Sequence, residues 1–361
     1  MVDYKRKVAI VGAGLFGLSI AEKLAKLNVD IDIYEKNRKI LLGASGNNLN
    51  RIHQGFHYPR SISTIKQCIN NYKNFIKKYK YFCQTKIKSY YLIANEKSKT
   101  NLQNFVNIAN KLPFFSKIVS LDDFPLSTSH IEGGILTNEG VYDWSKMKKY
   151  FMGVLKFKNI NIFYKTNILK ILKNSNLVYE RNDEIFKSQK YDFIIDCSYF
   201  NENAFKKNLK IPIKKKIYQK TLILEVFLKN VPQLGVAIMD GNFVSFLPKG
   251  SSKKFLIYDV KNSILKKKLS FFYPKSFNQK LLINYLNKKK LLIINNFLKY
   301  FPKVKIKKNI KFLISNRVID INKNDTRNSK LTIFKDKFFF VSQGKTDHCI
   351  EIANRIYKKI K

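Results

Sequence analysis

The chain has 361 residues, 45% of them hydrophobic, enough to bury a sizeable core in about two domains. No run of eighteen or so apolar residues occurs, which excludes an ordinary membrane-spanning helix. The formal net charge of +44, from 69 Lys and Arg against 25 Asp and Glu, points by itself to an anionic partner such as nucleic acid or a lipid surface. The basic residues are nevertheless spread along the chain, and Lys, Asn, Ile, Phe and Tyr are all heavily used, as in the product of a strongly AT-rich coding sequence. Solvated lysine is the plain reading of that pattern. Peripheral contact with an anionic membrane surface is the alternative, and a nucleic-acid partner is not expected.

The most informative stretch is residues 7–36, KVAIVGAGLFGLSIAEKLAKLNVDIDIYEK. An apolar run at 8–11 reads as a buried strand, Gly12, Gly14 and Gly17 follow in GxGxxG spacing, and apolar residues then recur with a helical period. Residues 29–34 alternate as a second strand with Glu35 at its end. A carboxylate there accepts hydrogen bonds from both ribose hydroxyls of an adenosine and repels a 2′-phosphate, so FAD or NAD is favoured over NADP. Residues 41–60, LLGASGNNLNRIHQGFHYPR, have no helical or strand period and form an extended loop of the kind that carries function. Two of the chain's four histidines, His53 and His57, fall in it. Ile65, Cys68, Ile69, Tyr72, Phe75, Ile76 and Tyr79 then fall on one helical face.

Residues 90–140 switch to short strands, with a helix near 101–110. A helix at 144–157 and a strand at 160–164 follow, with further short strands at 167–172 and 176–179. DFIIDC, residues 192–197, reads as a buried parallel strand. Strands at 218–228, 235–239, 243–247 and 255–259 suggest a mostly antiparallel sheet, and a long helix is expected near 278–301, with Lys288 to Lys290 on a solvated face. Residues 338–341 form an apolar strand, Gly344 sits in a turn, and residues 349–356 begin a closing helix, so a second helix N-terminus is available to favour negative charge. Cys68, Cys83, Cys197 and Cys349 form no CxxC pair and no zinc-like spacing with histidine; they read as reduced thiols of a cytoplasmic protein, and no metal is expected.

Four segments together resemble the D-amino-acid-oxidase-like superfamily of FAD-dependent oxidoreductases: VAIVGAGLFGLSIAEKLA with YEK, GASGNNLNRIHQGFHYP, YDFIIDCS and FFFVSQGKTDHCIEIA. MDGNFVSFLPKG further resembles an uncharacterised branch of it. The resemblance implies that Gly12, Ala13, Gly14, Leu15, Phe16, Gly17 and Glu35 hold the ADP half of FAD, with Lys36 beside the ribose. Ser45, Asn47 and Asn48 lie near the pyrophosphate and ribityl chain, Ile168 meets the adenine, and Ser198 ends a strand near the phosphates. Gly344 and Lys345 approach the pyrimidine edge of the flavin, where positive charge stabilises the reduced form. His53 resembles a histidine over the flavin, as a base or an attachment point, against a purely structural role in its loop. His57, Tyr58 and Arg60 line the same site, and Arg60 or Arg327 pairs with a substrate carboxylate.

The expected fold is α/β, a Rossmann-like FAD-binding domain (1–85, 141–205 and 305–361) with a second, substrate domain (86–140 and 206–304) on a mixed, largely antiparallel sheet. The expected function is oxidation of a small amino or hydroxy compound by hydride transfer to flavin N5, FAD being held non-covalently and reoxidised by oxygen or another acceptor. The alternatives are a non-catalytic FAD- or NAD-binding protein and a basic, peripheral membrane-associated binding protein.

Overall fold

A computed structural model of the chain describes residues 5–158, 160–322 and 326–361. The opening apolar run forms the strand Arg6–Val11. It is buried on both faces because Val8 and Ile10 join one core cluster while Ala9 and Val11 join another. That is the environment a continuous apolar run requires. This strand lies inside a six-stranded sheet whose order is Lys330–Phe334, Phe338–Ser342, Phe193–Asp196, Arg6–Val11, Val29–Tyr34 and Asn161–Phe163. All neighbours are parallel except the first pair.

On one face pack the helices Leu15–Leu24, Ile62–Tyr79, Trp144–Phe157 and Cys349–Ile360, whose inward residues include Leu18, Phe75, Phe151 and Ile352. On the other face lies a three-stranded antiparallel sheet, Asn167–Ile171, Leu177–Arg181 and Glu184–Lys187, with the short helix Glu202–Asn208. Strand, glycine turn, helix and strand thus form the expected unit; the helix Trp144–Phe157 has the expected bounds, and the helix Ile62–Tyr79 contains the expected face from Ile65 and begins one turn earlier.

The second sheet has nine strands and is antiparallel except where Leu234–Met239 runs parallel to Lys88–Ala94. Its longest strand, Lys216–Val226, pairs with Lys311–Asp320 along one side and with Ile264–Ser270 and then Phe255–Asp259 along the other. The helix Ile283–Tyr300 buries Leu286, Ile293 and Phe297 against it.

Three expectations change here. The strand Lys311–Asp320 belongs to the second sheet by its ten-residue register with Lys216–Val226, so the chain rejoins the first sheet only at Lys330, not at 305. The long helix starts at Ile283 rather than 278, because Leu282 is extended (φ −65°, ψ 138°) and the preceding carbonyls of Phe277 and Gln279 accept from Lys220 Nζ. The closing helix is preceded by a 3-10 turn, Thr346–His348, and already carries Asp347 and Glu351 at its start. The protein's own carboxylates therefore occupy that positive dipole end.

Candidate active site

The glycine turn is shaped by two close approaches. Gly12 has φ +103°, a region that favours glycine, and at Gly17 a Cβ would stand 2.0 Å from the carbonyl oxygen of Gly12. Gly14 differs: a Cβ there would meet only Ser45 Oγ, at 3.4 Å. The helix it caps has no side-chain cap and no acidic residue in its first turn, so its terminal N–H groups and dipole face an open cleft suited to an anion.

Glu35 is buried and accepts the Ala13 N–H at 2.7 Å, while its other oxygen accepts the N–H and side-chain amide of Asn37. The carboxylate that the sequence places at the end of the second strand thus ties that strand to the glycine turn. Ser45 Oγ accepts the Leu15 N–H at 3.0 Å. Asn47 and Asn48 direct their amides onto carbonyls of residues 42–45, bracing the loop they belong to.

Two cavities adjoin along this cleft. The smaller, about 210 Å³, is lined by Gly12, Ala13, Gly14, Glu35, Lys36, Ile168 and Ser198 among others. The larger, about 980 Å³, is lined by Phe16, Asn47, Asn48, His53, His57, Tyr58, Arg60, Arg327, Gly344 and Lys345 among others. Ala44, Ser45, Tyr199, Ser315, Asn316 and Gln343 line both, so they are two parts of one elongated space. All expected site residues except Leu15 and Gly17 line it; those two lie in the helix start behind it.

At the far end His53, His57 and Tyr58 form a cluster with ring centroids 5.2–5.9 Å apart. Lys345 Nζ lies 4.4 Å from the Tyr58 ring centroid. Nδ1 of His53 and Nδ1 of His57 are buried without a hydrogen-bond partner among the described residues. Burial, reinforced by the nearby cations Lys345 and Arg51, holds both imidazoles well below their usual pKa, and hence neutral. Burial lowers Lys345 to about 7 against the opposing pull of Asp347, and raises Asp347 to about 7. Asp347 accepts the backbone N–H of His53 at 3.0 Å, which fixes the histidine loop to the segment carrying Lys345.

Several participants were not legible beforehand. Arg51 is buried and paired with Glu139 at 2.9 Å, and Tyr91 hydrogen-bonds to both. Arg317 directs two donors onto the neutral amide oxygen of Gln219, at 2.9 and 2.6 Å, beside Tyr258 on the cavity wall. A run of basic residues gives no periodic signal that singles out such an arginine. Arg60, expected to clamp a carboxylate, is forked on Asp240. Arg327 reaches the cavity wall, and its backbone N–H donates to Thr64. The turn at Gly344 is held by its N–H donating to Ser329 Oγ at 2.8 Å; Ser329 contacts His348 Nδ1 at 3.1 Å.

A helix start with no acidic residue behind a glycine turn, an acid at the second strand end and an elongated cavity ending at neutral histidines define a dinucleotide-dependent protein of the Rossmann type. The sequence matches the FAD-dependent oxidoreductase family known as DAO over residues 7–249, and the chain belongs to that family. FAD is its cofactor. The residues fit that group: a Cβ at Gly14 would meet only Ser45 Oγ, and His53 and His57, which line the larger cavity, each keep a buried Nδ1 without a partner among the described residues.

Among relatives, the FAD-dependent monooxygenase FPY4 of Fusarium mangiferae is 23% identical over 262 residues, which are 72% of this chain and 65% of that protein. Less than two thirds of that relative's length is therefore spanned. Among solved structures, the L-alpha-glycerophosphate oxidase of Mycoplasma pneumoniae with FAD bound superposes with a TM-score of 0.77 at 17% identity, covering 99% of this chain and 95% of that one. Glycine oxidase from Geobacillus kaustophilus gives a TM-score of 0.75 at 12% identity, covering 99% and 94%. These likenesses bear on the fold. No helix among the described residues is long and apolar enough to cross a membrane, and no cluster of three or more His, Cys, Asp or Glu among them forms a metal site.

Proposed function

We propose that this chain is an FAD-dependent oxidoreductase that oxidises a small, anionic amino or hydroxy compound. In this reading the cofactor part comprises the six-stranded sheet with its helices, and the substrate part the nine-stranded sheet. Gly12 to Gly17, Glu35, Lys36, Ser45, Ile168 and Ser198 hold the ADP half, while Gly344 and Lys345 lie toward the flavin. FAD, when bound, supplies the two-electron acceptor that takes a hydride at N5.

The chain's own residues then have separate tasks. Arg317 and Arg327 offer positive charge to the substrate's anionic group; Arg317 keeps its charge for the cavity because its partner, Gln219, is a neutral amide, whereas Arg60 is neutralised by Asp240. The neutral imidazoles of His53 and His57 can take the proton released from the substrate's amine or hydroxyl as its carbon gives up hydride. Tyr58 and Lys345 close that wall, and Lys345 favours negative charge on its cavity side. The observation that carries this reading is the larger cavity, which joins the glycine cleft to two histidines with buried, unpartnered Nδ1 atoms and to two arginines. The free thiols of Cys68, Cys83, Cys197 and Cys349 agree with a reducing compartment.

The test is an absorption spectrum of the purified protein before and after acid precipitation, followed by an anaerobic screen of amino and hydroxy acids and phosphorylated polyols. Flavin bands that leave with the supernatant, and that bleach with a substrate, support the reading. Bound flavin that no compound reduces would favour a non-catalytic binder. His53→Asn should retain flavin yet slow bleaching by roughly 100-fold, the order expected for losing a general base. Unaltered bleaching in that variant would return His53 to a structural role.

A further inference from the structure

Residues 260–319 contain sixteen Lys or Arg and no Asp or Glu. Within them, the strand Ile264–Ser270 is an edge of the nine-stranded sheet, pairing only with Lys216–Val226 among the described strands. The chain then turns and runs back beside that edge. Tyr218 donates to the carbonyl of Phe271, Lys266 to that of Ser276, Lys220 to those of Phe277 and Gln279, and Tyr285 to that of Leu265. Leu269, Phe271, Phe272, Leu282 and Ile283 therefore lie along one edge of the molecule, a span of roughly 20 Å for a seven-residue strand.

All five side chains are exposed, Leu282 by 78% and Ile283 by 62%. Lysines frame them: Lys207 lies 5.2 Å from the Phe272 ring and Lys215 5.6 Å from the Phe271 ring, and Lys267 and Lys268 are exposed on the strand itself. Exposed apolar residues concentrated in one place mark an interaction surface.

We propose that this edge docks on an anionic phospholipid surface, with the five apolar side chains entering the headgroup layer and the lysines meeting lipid phosphates. The charge chooses among occupants. A second copy of the same edge would set lysine against lysine in a two-fold contact. Nucleic acid would be met by stacking aromatics, whereas three of these five side chains are aliphatic. A basic rim around an apolar strip suits a lipid interface. The proposal stands independently of the oxidoreductase reading.

The experiment is flotation of the whole FAD-loaded protein with vesicles of phosphatidylcholine alone or mixed with phosphatidylglycerol, at low and high salt. The wild type should float only with phosphatidylglycerol and retain part of its binding at high salt, because the apolar contribution is not screened. A combined Phe271→Ser, Phe272→Ser, Leu282→Ser, Ile283→Ser variant should lose that salt-resistant fraction by roughly tenfold or more while keeping its flavin spectrum. Equal retention by this variant would reduce the effect to diffuse attraction of a basic chain and overturn the proposal. So would a failure to float accompanied by a dimer, in sedimentation, that the same substitutions dissociate.

Discussion

Gly14 and Gly17 stand three residues apart in the same turn and answer to different constraints. A side chain at Gly17 would strike the backbone of Gly12, whereas one at Gly14 would enter the cleft beside Ser45 without touching backbone. Gly17→Ala should therefore destabilise the fold, by about 1–3 kcal/mol or more as an overpacked site. Gly14→Val should fold normally but purify without flavin. Thermal midpoints and absorption spectra of both separate the two effects; a yellow Gly14→Val would remove the turn from the cofactor site. Asp347 gives a second prediction at this scale. Its folded pKa, about 7, lies above its unfolded value near 3.8. The stability it contributes is therefore fully present below the unfolded value and lost as pH rises through the folded one. Asp347→Asn, which cannot ionise, should gain on wild type as pH rises from about 4 to 7 and hold that gain above; parallel melting curves across this range would show that Asp347 is not buried as a charge-averse group.

At the level of elements, the cavity wall depends on packing between segments distant in sequence. The helix Ile62–Tyr79 holds the segment that leads into the strand Lys330–Phe334: Gln67 accepts the Ser329 backbone N–H and donates to its carbonyl, and Thr64 accepts the Arg327 backbone N–H. Ser329 in turn accepts the Gly344 N–H and contacts His348, whose other ring nitrogen faces Cys68 at 3.8 Å. Burial lowers His348 to about 3, so this chain of contacts is uncharged at neutral pH. Ser329→Ala leaves the Gly344 N–H unpaired, a cost of about 1–3 kcal/mol. It should also shift the flavin absorption band and raise KM more than it lowers kcat, since the segment carrying Lys345 loses its support; a stability change with an unaltered spectrum would make Ser329 structural only.

For the whole molecule, the elongated cavity joins the two sheets. Gly12, Glu35 and Ser198 come with the first, Ser315, Asn316 and Arg317 with the second. A ligand filling it stabilises both at once. FAD at a hundredfold excess over its dissociation constant should raise the unfolding free energy of the apoprotein by about 2.7 kcal/mol, read as a single raised melting transition. Two separate transitions, only one of them moved by FAD, would show that the sheets unfold independently and that the cofactor bridges nothing.

The linear sequence by itself determined the local units. The run 8–11, the GxGxxG spacing and Glu35 specify a strand, turn and acid whose geometry follows from neighbouring residues, and the periods of 65–79 and 144–157 specify helices through their own apolar faces. It placed Lys311–Asp320 with the FAD-binding domain and displaced the start of the long helix, because the partner of a strand, Lys216–Val226 here, lies far away along the chain and leaves no local signal, and because Leu281 and Leu282 mimic a helical face. Only the tertiary structure decided that Arg51 is neutralised by Glu139, that Arg60 belongs to Asp240, and that Arg317 reaches the cavity over an amide. Each depends on a partner 88, 180 or 98 residues away. A charge becomes a site residue through what stands opposite it, and pairing at that distance leaves no trace in local spacing.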